Sequence, residues 1–126
     1  MTTLELAKIF INAVQAGDEA TMRSCMHKDA GIWHDYDNVT QTVDENIALM
    51  HQMIKFAKDR QYTVRRLEEL SDGYLQRHTL TVTGLSGKVY TAEAMCIITV
   101  KDGKISHIEE FINPATLAGL FSEASS

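Results

Sequence analysis

The chain has 126 residues, 44% hydrophobic and 23% charged, which is typical of an ordinary globular protein and suits a single domain over residues 1–126. The net charge is −5 and Arg65-Arg66 is the one adjacent basic pair, so the basic footprint needed for nucleic acid is missing and an anionic membrane would repel the chain. We see neither a secretory signal nor an apolar run of about 18 residues, and we expect a cytoplasmic protein with reduced, buried Cys25 and Cys96.

Helical periodicity dominates the first half of the chain. Residues 4–16 repeat apolar side chains at helical spacing, and Gly17 is a typical C-cap. Asp18 can cap a second, short helix that carries Met26. A third, longer helix begins after the capping-box sequence TVDE, and we expect it to end near Asp59.

The second half of the chain is rich in residues that favour strands. A short strand is predicted earlier, in the stretch GIWHDYDN, and four more follow the long helix at residues 61–71, 74–83, 88–100 and 104–112. The separators SDG, GLSG and KDGK are turn signals, so these four strands should form an antiparallel meander. A short helix in NPATLAGLF ends the chain. Helices grouped before an antiparallel sheet predict an α+β domain with the helices on one sheet face.

This order of elements, with HKDAGIWHD before the long helix and VKDGKISHIEEF near the end, resembles the NTF2-like superfamily. Within it the chain is similar to the SnoaL-like branch, alongside ketosteroid isomerases and limonene-epoxide hydrolases. The resemblance spans nearly the whole chain and implies a cone-shaped, cystatin-like fold: a curved sheet wrapped around the N-terminal helices, with a pocket inside. Members of the superfamily include isomerases, hydrolases, cyclases and proteins that only bind, so the fold alone does not decide the activity.

The resemblance also implies positions for catalytic residues. In DAGIWH, His34 stands where ketosteroid isomerases carry a general-base aspartate. In QRHTL, Arg77 stands where epoxide hydrolases carry an arginine flanked by two aspartates. Thr79 replaces one of those aspartates and Glu110 lies near the second, so the loss of one essential carboxylate argues against epoxide hydrolysis.

His34 is the main candidate for chemistry, because an imidazole with a pKa of about 6.5 moves protons near neutral pH. A carboxylate such as Glu110 or Asp35 could orient it for proton abstraction beside a carbonyl. The alternative is a structural histidine whose hydrogen bonds are satisfied at a strand end. Arg77 could stabilise developing negative charge, or it could form an ion pair with Glu93 or Glu110.

The register of the last strand decides which glutamate faces the pocket. If Ile108 and Ile112 point inward, Glu110 does so as well. If Phe111 points inward instead, Glu109 takes that place. A salt bridge to Arg77 is the structural alternative for Glu110.

We expect a pocket for a small apolar or polycyclic ligand. Besides the three candidate catalytic residues, its expected lining is Tyr36, Met50, Ile54, Thr79, Ile108 and Ile112. The histidines and cysteines lack the spacing of a metal site, and no phosphate-binding loop or nucleophile motif occurs, so neither a metal nor a cofactor is expected.

Together these features predict a cofactor-independent isomerase, cyclase or hydrolase that acts by proton transfer on a small apolar oxygenated substrate. His34 would be base or acid, Glu110 its partner, and Arg77 the group that stabilises negative charge. The alternative is a non-catalytic module of the same fold that binds a ligand or dimerises.

A homodimer through the outer sheet face is expected in either case. The resemblance implies this pairing, and the strands carry more apolar surface than the helices can cover. The residues assigned to that surface are Leu80, Val82, Ile98 and Val100.

Overall fold

The computed structural model describes residues 1–125, and the side chains of residues 1–123. Its elements are α1 (Thr3–Ala16), α2 (Glu19–Cys25), β1 (Met26–His34), β2 (Val39–Gln41), α3 (Val43–Phe56), β3 (Ala57–Leu70), β4 (Gly73–Gly84), β5 (Val89–Lys101), β6 (Lys104–Ile112), a 3-10 turn (Pro114–Leu117) and α4 (Ala118–Ser125). None of the helices in residues 1–125 has the length and apolar character that a membrane crossing requires.

Capping side chains fix where the two long helices begin. The Thr42 hydroxyl accepts from the Glu45 backbone N–H at 3.1 Å, and the Glu45 carboxylate accepts from the Thr42 N–H at 2.9 Å. Thr2 and Glu5 form the same box at the start of α1. Gly17 ends α1 with a φ of 71°, a left-handed conformation that glycine adopts without strain. The predicted TVDE box and the predicted C-cap are confirmed.

The ends of α2 and α3 differ from the sequence prediction, because residues expected in these helices pair in the sheet. Met26, expected in the second helix, is the first residue of β1 and pairs with Ile105. The long helix ends at Phe56 rather than near Asp59, because Ala57 already pairs with β4. In both places the hydrogen bonds of the sheet override local helical periodicity. The three-residue strand β2, which pairs with β1, was not predicted.

The sheet has six strands in the order β2-β1-β6-β5-β4-β3. The last four form the predicted antiparallel meander, whereas β1 lies parallel to β6, with His34 opposite Glu110. Register shifts in the β3–β4 and β5–β6 pairings mark bulges, which bend strands. The result is a curved, unclosed sheet with helices on its concave side, which confirms the predicted α+β cone.

The core lies between the helices and the inner face of the sheet. Helix residues such as Phe10, Met22 and Ile47 pack against strand residues such as Ile98 and Ile108. Each is at most 8% exposed, and burying a side chain of this size contributes about 1.5–3 kcal/mol to folding. Strand alternation therefore fixes which side chains face the helices.

The residues assigned to an outer dimer face lie elsewhere, and that assignment is wrong. Leu80, Val82 and Ile98 are at most 3% exposed and belong to the core, while Val100 is half-buried against it. The alternation of these strands has the opposite phase to the one predicted. The outer face of the sheet carries half-buried apolar residues that alternate with these core residues. They are Trp33, Leu75, Met95, Ile97 and Phe111. The homodimer itself stays a prediction.

Tyr74 provides a test of this packing. It is fully buried, and its hydroxyl has no hydrogen-bond partner among the described residues. Because burying an unpaired hydroxyl costs about 1–3 kcal/mol, we expect Tyr74→Phe to leave the free energy of unfolding unchanged or to raise it by about 1 kcal/mol. Urea denaturation followed by circular dichroism measures this change.

Tyr90→Phe is the matched control. The Tyr90 hydroxyl donates to the Glu123 carboxylate at 2.6 Å, so its removal should lower the free energy of unfolding by about 1 kcal/mol. An equal loss of stability in Tyr74→Phe would contradict the burial of an unpaired hydroxyl at that position.

Candidate functional site

A cavity of about 210 Å³ lies between the helices and the inner face of the sheet. Its walls are mainly apolar and come from α1, α3, the strands and the C-terminal segment, for example Phe10, Met50, Ile98, Leu117 and Phe121. Titratable or hydrogen-bonding side chains interrupt this lining, among them His34, Tyr36, Arg60, Tyr62, Gln76, His78 and Glu110.

The structure brings His34 and Glu110 together. His34 Nε2 lies 2.9 Å from Glu110 Oε1, because the parallel pairing of β1 and β6 sets the two residues side by side. The His34 side chain is 4% exposed and that of Glu110 is 25% exposed, so Glu110 is the more accessible half of the pair. His34 Nδ1 is buried and has no hydrogen-bond partner among the described residues. The chemical roles of both residues stay predictions.

Burial and the Glu110 carboxylate shift the pKa values of His34 and of the neighbouring Cys96. Burial lowers the pKa of His34, but the hydrogen bond to Glu110 and its negative charge, with smaller effects of Asp37 and Asp35, outweigh burial and raise the pKa overall. The Cys96 thiol donates weakly to Glu110 Oε2 at 3.8 Å. Burial, together with Glu110, raises the pKa of Cys96 well above its ordinary value, so this residue stays a thiol and not a nucleophile.

The residues after His34 shape the end of β1. The Asp35 N–H donates to the Glu110 carbonyl at 3.1 Å, and its carboxylate accepts from the Ile112 N–H at 3.0 Å. Asp35 therefore ties the ends of β1 and β6 together. The Tyr36 ring lies 5.3 Å from the His34 ring and borders the cavity while remaining 44% exposed. Tyr36 is thus placed at the boundary between the cavity and solvent.

A second polar group lies on β3 and β4. Arg60 Nη2 donates to the Val14 carbonyl and to the Tyr62 hydroxyl, both at 3.1 Å. The Gln76 amide donates to His78 Nδ1 at 2.9 Å. Burial lowers the pKa of His78, so this imidazole is neutral near pH 7, whereas the pKa of His34 is shifted in the opposite direction.

Two predicted site residues, Arg77 and Ile54, lie outside the cavity. Arg77 is exposed on the outer face, because Gln76 and His78 on either side of it point inward and strand side chains alternate. Ile54 is 37% exposed on α3, whereas Met53 lines the cavity. The sequence analysis was wrong on both placements.

Thr79 also faces the outer side of β4. Its hydroxyl donates to Glu93 at 2.7 Å and accepts from Arg65 Nε at 3.1 Å. It is buried among these polar neighbours and does not line the cavity, which corrects the prediction that it contacts ligand. Glu93, one suggested ion-pair partner of Arg77, is bonded to Thr79 instead.

The remaining predicted lining residues do border the cavity. Tyr36, Met50, Ile108 and Ile112 all lie on its wall. Since Ile108, Glu110 and Ile112 share this face, the alternative register with Glu109 inward is excluded. Within residues 1–123, no group of three or more His, Cys, Asp or Glu side chains is arranged to hold a metal ion.

Sequence analysis missed the second polar group, although part of its signal was present. Gln76 and His78 occupy the same alternate positions of β4 as Tyr74 and Leu80, which are buried. That phase indicates an inward face, and it places both polar residues in the cavity. Arg60 gave no comparable signal, because it precedes the predicted start of its strand.

Comparisons with known proteins show which family and which solved structures this chain is similar to. Residues 7–108 match the sequence profile of the SnoaL-like domain. No curated protein sequence shows significant similarity to this chain. Among solved structures, IdmH of Streptomyces antibioticus, a candidate polyketide cyclase, is 15% identical with a TM-score of 0.84, covering 97% of this chain and 99% of that one.

Two further structures are similarly close. AclR of Streptomyces galilaeus, a candidate hydroxylase, is 18% identical with a TM-score of 0.82 and covers 94% of this chain and 84% of that one. TerC, crystallised with polyporic acid, is 18% identical with a TM-score of 0.80 and covers 95% and 98% of the two chains. At these identities the similarity shows a shared fold only.

The His34–Glu110 pair generates a prediction about titration. We expect NMR titration of the His34 ring to give a pKa above the usual value of about 6.5. In Glu110→Gln the pKa should fall, because the burial that lowers it remains while the Glu110 carboxylate, which does most to raise it, is gone. An unchanged His34 pKa in Glu110→Gln would contradict the assigned pairing.

The same pair predicts how stability depends on pH. A folded-state pKa above the unfolded value stabilises the fold fully below the unfolded pKa, and this contribution is lost as pH rises through the folded pKa. The stability difference between wild type and His34→Gln should therefore be larger near about pH 5.5 than near about pH 8.5. Urea denaturation at the two pH values measures this difference, and His107→Gln on the outer face is the control.

Proposed function

This chain belongs to the SnoaL-like domain family, and we propose that it is a cofactor-independent enzyme that transfers a proton on a small, mostly apolar, oxygenated substrate. The observation that carries the proposal is the 2.9 Å contact between His34 Nε2 and Glu110 Oε1 at the wall of an apolar cavity. A carboxylate–imidazole pair surrounded by apolar walls is a common arrangement for general acid–base chemistry.

The exposure of the two side chains suggests which atom meets the substrate. Glu110 is the more accessible member, so one of its oxygens accepts the proton from a carbon beside a carbonyl. His34, in the neutral tautomer that carries its hydrogen on Nδ1, then takes this proton from the carboxyl group at Nε2, which leaves an enolate on the substrate and an imidazolium next to the carboxylate. Return of the proton to another carbon of the enolate completes an isomerisation. In a ring closure the enolate carbon instead attacks a second carbonyl of the substrate, and the proton returns to the resulting alkoxide oxygen, so neither reaction needs a cofactor.

The raised pKa of His34 suits this role. With His34 neutral and Glu110 ionised, the pair accepts one proton, and the two residues then form an ion pair. The pKa of His34 therefore measures how strong a base the pair is as a unit. The apolar walls strengthen this electrostatic coupling, because charges interact more strongly where water is excluded.

The structural relatives support the substrate class. IdmH is a candidate polyketide cyclase, and TerC was crystallised with polyporic acid. We propose a substrate of similar character, a ring system or a folded chain that carries carbonyl or enol oxygens. Epoxide hydrolysis is not supported, because Arg77, which would carry it, and Thr79, which replaces one of its aspartates, both lie on the outer face.

A second candidate function is ligand binding without catalysis. One observation favours it: the His34–Glu110 contact and the Asp35 hydrogen bonds all join β1 to β6, as a structural cross-link would. In that case the cavity would hold a ligand of the same class, and the pair would serve stability.

Hydrogen–deuterium exchange of a carbon acid separates the two functions. We expect the wild type to accelerate exchange of the α-protons of 2-tetralone or anthrone in D₂O, followed by NMR. Glu110→Gln and His34→Gln should each reduce this acceleration about 100-fold or more, because each removes half of the base.

His107→Gln, on the outer face of the same sheet, should exchange the probes like the wild type. Binding of the probes without acceleration by the wild type would favour the binding module. Acceleration that survives in Glu110→Gln would contradict the assignment of the proton-transferring pair.

A further inference from the structure

Arg60 is a buried cation on the wall of the cavity. It is 7% exposed, and its Nε lies buried without a hydrogen-bond partner among the described residues. Its two hydrogen bonds both come from Nη2 and go to neutral oxygens, the Val14 carbonyl and the Tyr62 hydroxyl. The guanidinium therefore keeps donor capacity that the protein itself does not use.

No carboxylate of residues 1–123 forms an ion pair with Arg60. The acid next to it in sequence, Asp59, is exposed and accepts a hydrogen bond from Gln61 at 3.1 Å. Burying a charge without a counter-charge is costly, and buried arginines are normally paired. An arginine left in this state at a cavity wall is suited to an anion that arrives from outside.

Tyr62 adds a second donor to this position. Its hydroxyl oxygen accepts from Arg60 Nη2, so its own hydrogen is left for another acceptor. Its ring also lies 5.5 Å from the Arg60 guanidinium carbon and 5.3 Å from the His78 ring. These packed neighbours hold both donors in place before any ligand enters.

The charge of the rest of the cavity does not oppose an anion as long as His34 is protonated. When His34 is protonated, the His34–Glu110 pair has no net charge, and neutral His78 contributes none. The net charge of the residues that line the cavity is then the positive charge of Arg60.

We propose that Arg60 and Tyr62 form an anion subsite, and that the ligand carries an ionised oxygen group, a carboxylate or an acidic enol, on an apolar ring system. The Arg60 guanidinium and the Tyr62 hydroxyl donate to that group. The use of this subsite to orient a substrate toward His34 and Glu110 rests on the proposed function, whereas the binding of the anion does not.

Matched pairs of probes test the subsite by calorimetric titration at neutral pH. 2-Naphthoate is compared with neutral 2-naphthamide, and ionised 4-hydroxycoumarin with neutral 4-methoxycoumarin, so that carboxylate and enolate are tested separately. We expect the wild type to bind at least one anion about tenfold or more tightly than its neutral counterpart. Arg60→Met should abolish this preference, and Arg77→Met, which removes an exposed arginine on the outer face, should keep it.

Tyr62→Phe gives a second measurement that retains the buried guanidinium. It should reduce the preference by a smaller factor, about threefold, because one neutral donor is lost. Equal binding of anion and neutral probe by the wild type, absence of binding by all four probes, or a preference that persists in Arg60→Met would each overturn the proposal.

Titration of Glu110→Gln separates this inference from the proposed function. This variant cannot transfer the proton, yet its preference for the anion should remain and should still depend on Arg60. Loss of exchange activity with a retained preference would leave the anion subsite standing. A preference that disappears in Glu110→Gln would overturn the assignment to Arg60 and Tyr62.

Discussion

The parallel pairing of β1 with β6 is the constraint on which the site depends. It places His34 directly beside Glu110, and the Asp35 hydrogen bonds to β6 hold that register at the strand ends. A shift of one residue would turn one member of the pair to the outer face. The 2.9 Å contact between imidazole and carboxylate is therefore a property of the sheet, and the apolar walls around it determine how strongly the two groups influence each other's charge.

The cavity holds two histidines whose pKa values are shifted in opposite directions. His34 has a carboxylate partner and a raised pKa, whereas His78 has an amide partner and a pKa lowered by burial. Arg60 adds a positive charge close to His78, because it donates to the hydroxyl of Tyr62, whose ring packs against the His78 ring. We infer that the His34–Glu110 pair moves protons and that Arg60 and Tyr62 hold an anionic oxygen of the ligand.

How much of the fold and of the site could be predicted depended on whether a feature is encoded locally or by residues distant in sequence. The capping box TVDE, Gly17 and the turn sequences are local features, and they correctly predicted the start of α3, the end of α1 and the antiparallel meander. The parallel β1–β6 pairing joins residues distant in sequence, so the sequence suggested the His34–Glu110 contact without establishing it. The phase of β4 was mistaken because Arg77 was placed by analogy, although Tyr74, Gln76, His78 and Leu80 together indicate the inward face. Arg60 carries no local sign of burial, since only the packing of β3 against α1 encloses it.

The central claim is that His34 and Glu110 accept a proton as one unit, and the pH dependence of carbon-acid exchange tests it most directly. The rate for 2-tetralone with the wild type would be measured across the pH range in which NMR shows His34 to titrate. Our account predicts that the enzymatic rate rises with pH through the pKa of His34 and then levels off, because only the deprotonated pair can accept the proton. A rate that is independent of pH over that range, or that falls as His34 loses its proton, would contradict the account.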